Sequence, residues 1–122
     1  MISVRHRFHG TNSLNFVYRR GQTLRSKYFS VKYVRNDRQD SYRLAVVVSR
    51  KVAKSAVVRN RIRRRLYELF RNEIAPNIDN IDVVISVYDA QLADLPAEQL
   101  KNNFIYVFKD FTTLKNSHPG TK

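Results

Sequence analysis

Apolar positions step by three or four through the middle of the chain and by two in the segments that flank it. From Val58 the series continues Ile62, Leu66, Leu69/Phe70 and Ile74, the spacing of a single helical stripe. Ser55 stands just ahead, where a hydroxyl accepts a bond from one of the first free N–H groups. A helix is therefore predicted from Ser55 to about Ala75-Pro76. Lys27–Val34 alternates instead, with Phe29, Val31 and Tyr33 on one face and Tyr28, Ser30 and Lys32 on the other, as a strand does. The turn-like Asn36–Asp40 leads into Tyr42–Ser49, a second strand with Leu44, Val46 and Val48 for the core and Arg43, Ala45, Val47 and Ser49 facing away. By spacing these two strands form a hairpin. Ile81–Tyr88 is apolar with little alternation, as in a strand covered on both faces, and its place after strand and helix predicts a β–α–β unit.

The ends follow the same reading. A short helix is expected from Thr11 or Asn12 to about Arg20, stopping at Gly21, with Leu14, Val17 and Tyr18 on one face. Asp94 and Pro96 open a last helix whose stripe is Leu100, Phe104, Val107, Phe108 and Phe111, proline being welcome in a first turn. A further short strand around Thr23–Arg25 fits the remaining space. The fold class expected is a single α+β sandwich of order α-β-β(-β)-α-β-α. Residues 1–10 form a basic arm, 11–112 the domain and 113–122 a frayed tail. At 122 residues the chain is large enough for one core.

Charge sharpens the picture. Net charge is +13, and residues 1–67 hold 18 Lys/Arg against two acids, while 68–122 hold five against eight. Arg50, Lys51, Lys54, Arg59, Arg61, Arg63, Arg64 and Arg65 place eight cations in sixteen residues, and no carboxylate occurs between Ser41 and Tyr67. Such a run is either a solvated face or a surface for a polyanion. Its self-repulsion, and an excess of arginine, whose planar fork suits phosphate, favour the second. The arm with Arg5 and Arg7 either moves freely or lies on phosphates. Tyr28, Ser30, Lys32, Ala45 and Ser49 make either a shallow groove or an ordinary solvent-facing sheet.

Other classes are disfavoured. No run is long enough to span a bilayer, and the basic helix needs its apolar stripe for the core, so a membrane partner is not expected. The N-terminus lacks an apolar signal region. Cysteine is absent, which fits a reducing cytoplasm. The three histidines lie at 6, 9 and 118, and no H-E-x-x-H, G-x-S-x-G or phosphate-loop motif occurs. No catalytic residue, metal ligand set or small-molecule substrate is expected of the protein itself; it reads as a binding protein.

The run A-V-V-R-N-R-I-R-R at Ala56–Arg64 resembles the hallmark of the bacterial ribonuclease P protein subunit. The wider layout is similar too: R-x-R-F at Arg5–Phe8, the first helix ending in Gly21, a strand ending in Ser49-Arg50-Lys51, and the closing aromatic helix. The likeness covers about residues 5–111. It implies a ribonucleoprotein that removes the 5′ leader of precursor tRNA, with Mg²⁺ held mainly by the RNA subunit, which performs the hydrolysis. It also implies a left-handed β–α–β crossover, where spacing alone predicts a right-handed one. On this resemblance Arg59, Asn60, Arg61, Arg63 and Arg64 contact the RNA subunit, and Arg50, Lys51, Lys54 and Arg65 extend the same surface. Leu14, Val17, Tyr18, Tyr28, Ser30 and Lys32 line the leader cleft, with Arg5 and Arg7 along RNA beside it. Leu14 stands where an aromatic is common, so apolar contact rather than stacking is expected there. The chain also has Ala53 where many members carry glycine. A ribosomal or other structural RNA-binding protein of similar fold is the alternative, and a self-sufficient nuclease a third reading.

Overall fold

The structure, a computed structural model, describes residues 11–36, 41–78 and 80–109. It begins with α1 (Thr11–Arg20), β1 (Gln22–Arg25), β2 (Phe29–Arg35) and β3 (Arg43–Val48). α2 (Ala56–Leu69), β4 (Ile81–Val87) and α3 (Ala97–Val107) complete it. All of these fall within the 11–112 unit expected from the sequence. The arm 1–10, the tail 113–122, Phe111 and residues 37–40 of the expected turn lie outside the described residues.

The four strands form one sheet in the order β1-β2-β4-β3. The expected hairpin of β2 with β3 is absent, because β4 enters between them. It runs antiparallel to β2, with Phe29 opposite Val87 and Arg35 opposite Ile81. It runs parallel to β3, with Arg43 beside Asp82 and Val48 beside Val87. Every residue of β4 except Ser86 is buried. A strand of that kind belongs where both faces are covered and both edges paired. The turn chemistry of 36–40 encodes a reversal of the chain, not the identity of the neighbouring strand. The β3–α2–β4 unit forms as expected, and the short extra strand is β1, antiparallel on β2.

One face of the sheet holds the main core. Phe29, Val31, Leu44, Val46, Val83 and Ile85 cluster there with Ile62, Leu66, Phe70 and Ile74 from α2 and its extension, and with Leu100, Phe104 and Phe108 from the last helix. Aromatic rings carry the packing across elements: Phe29 lies 5.8 Å from Phe104, Phe104 4.6 Å from Phe108, Phe108 5.6 Å from Phe70, and Phe70 5.3 Å from Tyr42. Such contacts add to the area term at favoured centroid spacings. After Leu69 the helix widens into a π-helical turn, Phe70–Ile74, and ends in a 3₁₀ turn containing Pro76.

The opposite face receives α1. Val17 is fully buried and packs with Ala45, Val84 and Val34. Gly21 makes that docking possible, since a Cβ there would sit 2.5 Å from the Val17 carbonyl oxygen and 3.0 Å from that of Tyr33. Near this contact Asp82, 2% exposed, accepts two bonds from the Arg43 guanidinium at 2.9 and 2.8 Å and one from Asn36 Nδ2 at 2.7 Å. The bonds to Asp82 raise the pKa of Arg43 further, against the opposing effect of burial.

Candidate nucleic-acid interface

The approach to α2 is fixed by short-range bonds. The Ser49 carbonyl accepts the N–H groups of Val52 and Ala53, and Ser55 Oγ accepts that of Val58 at 3.3 Å, the cap read from the sequence. Arg59 then reaches back, its Nη1 donating to the carbonyls of Ala53 and Lys54, both at 2.9 Å. One nitrogen of the guanidinium thus holds the turn, and three of its five N–H donors remain for other partners. Arg50, Lys51 and Lys54 are exposed around this turn.

Along the helix the arginines divide. Arg64 is exposed, and Arg63 donates to Asn60 Oδ1 at 2.7 Å. Arg61 pairs with Asp94 at 3.1 Å, both groups well exposed, a pairing worth little in water. Arg65 is half-buried and donates to the main-chain carbonyls of Leu92 and Leu95 at 2.8 and 2.6 Å. The exposed cations thus lie on the turn and along α2 as far as Arg64, while Arg65 braces the connection into α3.

The second expected surface is the sheet face under α1. Ser30 and Lys32 are partly exposed, and Lys32 Nζ donates to Thr23 Oγ1 at 3.0 Å. Tyr18 is 39% exposed on α1, whereas Val17 is spent on docking the helix. Tyr28, which strict alternation puts beside Ser30 and Lys32, is 5% exposed and belongs to the main core. It precedes β2, in a bend where Ser26 Oγ accepts the N–H groups of Tyr28 and Phe29, so the pleat does not extend to it. Arg5 and Arg7 lie outside the described residues, as does the Leu14 side chain.

The family model described as Ribonuclease P matches residues 2–112. The chain belongs to this family. Relatives named ribonuclease P protein component include one from Pseudanabaena sp. (strain PCC 6903), 37% identical over 71 residues, 58% of this chain and 61% of that one. Another, from Bacillus cereus (strain AH187), is 29% identical over 108 residues, 88% of this chain and 92% of that one. The Staphylococcus aureus RNase P protein superposes with a TM-score of 0.75 at 26% identity, covering 85% of this chain and 93% of that structure. The Thermotoga maritima RNase P protein shares the fold, with a TM-score of 0.69 at 23% identity over 79% and 88% of the two chains.

As a member of the ribonuclease P protein family, the chain also carries features that its motifs and periodicity do not single out. Phe16 is 42% exposed beside the docked Val17. Helical periodicity signals only the face that turns inward, so a large aromatic next to it was the available clue. Asp82 was legible as a lone acid in an apolar strand, and Arg43 as a cation on the opposite face from Leu44. Among the described residues no group of three or more His, Cys, Asp or Glu is placed to hold a metal ion, and no helix is long and apolar enough to cross a membrane.

Proposed function

We propose that the chain acts as the protein subunit of a cytoplasmic ribonuclease P ribonucleoprotein, binding both the RNA subunit and precursor tRNA. Arg50, Lys51 and Lys54 on the turn into α2 and Arg61 and Arg64 along the helix, all exposed, are the observation that carries it. They form a surface for RNA phosphates, with Arg59, Asn60 and Arg63 shaping it from within. Arg65 contributes by fixing the segment at Leu92–Leu95 against the helix. Tyr18, Ser30 and Lys32 meet the leader of precursor tRNA on the other side of the sheet, on the face where Val17 anchors α1. Leu14, Arg5 and Arg7 would extend that path.

The donor set described fits phosphate binding and not metal ligation. The chemistry supplied by Mg²⁺, activation of water and stabilisation of the leaving oxygen, is assigned to ions held mainly by the RNA subunit. The protein's part is electrostatic. Its cations offset the repulsion between two RNAs and so reduce the Mg²⁺ needed to bring them together.

Reconstitution tests this. Precursor tRNA is incubated with a bacterial ribonuclease P RNA at low Mg²⁺, with and without the protein. Mature 5′ ends are expected only when both components are present. No stimulation by the protein would remove the reading, and cleavage by protein alone would restore a nuclease in its place.

A further inference from the structure

The register places three chain segments side by side at one end of the sheet. Val87 is opposite Phe29 on one side and beside Val48 on the other. The residues just outside that row, 26–28, 49–51 and 88–89, therefore leave the sheet together. Arg25 and Lys27 are exposed on one flank of this end and Arg50 and Lys51 on the other. The carboxylate present there, on Asp89, accepts the Gln91 N–H at 2.9 Å.

Tyr88 stands between the two basic flanks. Its N–H donates to the Tyr28 carbonyl at 3.0 Å, and its hydroxyl reaches the carbonyl oxygens of Ser26 and Phe29, the latter at 3.1 Å. Both ends of the residue are thus held by main chain, yet 47% of it remains exposed. What it shows to solvent is a ring whose orientation is already set. A clasp on the β1–β2 turn accounts for the hydroxyl but not for a large open ring at an end of the sheet whose two flanks carry exposed cations. Aromatic rings between basic side chains are the platforms on which proteins stack unpaired bases, with the cations following the backbone. We infer that Tyr88 stacks on an unpaired base of the single-stranded substrate RNA, whose phosphates run between the Arg25–Lys27 and Arg50–Lys51 flanks.

This rests on the RNA-binding reading above, and the experiment separates the two. Precursor tRNA leaders carrying one 5-iodouridine at successive positions are irradiated in the reconstituted holoenzyme. Crosslinks to Tyr88 are expected from one or two adjacent positions. Tyr88→Leu should weaken binding of precursor tRNA about tenfold, and Tyr88→Phe, which keeps the ring, by less than about threefold. An abasic site at the crosslinked position should abolish the difference between Leu and wild type. Unchanged affinity of the Leu variant, or an equal loss on the abasic leader, overturns the inference. Should the Leu variant fail to fold, absence of any crosslink at Tyr88 does the same. A wild-type protein that binds neither RNA sinks the functional reading first, and this one with it.

Discussion

A carboxylate 2% exposed among valines and isoleucines has to be matched, and Asp82 is matched by Arg43 and Asn36 together. Because Arg43 is itself only 21% exposed, removing its partner leaves a cation with restricted access to water. Asp82→Ala is expected to cost about 3 kcal/mol of stability, measured by urea denaturation, with the Arg43→Ala/Asp82→Ala double variant losing less than the sum. Tyr42 gives a pH signature. Burial raises its pKa above the ordinary 10, against a smaller lowering by Arg71. The unfolded chain therefore releases this proton first, and stability falls as pH rises through 10. Tyr42→Phe should flatten that alkaline fall, seen by comparing denaturation midpoints at pH 9 and 11.

Among elements, α2 does two jobs that its sequence does not distinguish. Arg64 and Arg65 are neighbours of identical chemistry, yet one is exposed and the other satisfies two main-chain carbonyls. Arg64→Ala should leave the melting temperature unchanged and lower the salt slope of RNA binding by up to about one. Arg65→Ala should cost about 2 kcal/mol of stability, since two partly buried acceptors lose a charged donor. Equal effects of both on either measurement would contradict this division. The helix itself was legible, from the Ser55 cap to the Ile62–Leu66–Phe70 stripe, because those signals are local. The partners of Arg61 and Arg65 were not, since Leu92, Asp94 and Leu95 reach α2 only through the fold. The same limit explains β4. Its apolar run foretold burial on both faces, but nothing within Ile81–Val87 names β2 and β3 as neighbours.

For the whole molecule, charge and fold are distributed differently along the chain. Residues 1–67 hold 18 of the 23 Lys/Arg, while the strand on which the sheet depends begins at Ile81. The uneven charge was plain in the composition and pointed correctly to a polyanionic partner. The end of the sheet that carries Arg25 on one flank and Arg50 on the other was not, because only a strand still to come sets these two residues at the same end of one sheet.

The central place of β4 also has a consequence for synthesis. Before Ile81 leaves the ribosome, β3 has no strand beside it, and β1 with β2 makes at most a two-stranded ribbon, which is marginal in water. Nascent chains halted short of Ile81 should be digested readily by protease, and those extended past α3 should resist. Translation thus delivers most of the basic charge before it delivers the frame that arranges it.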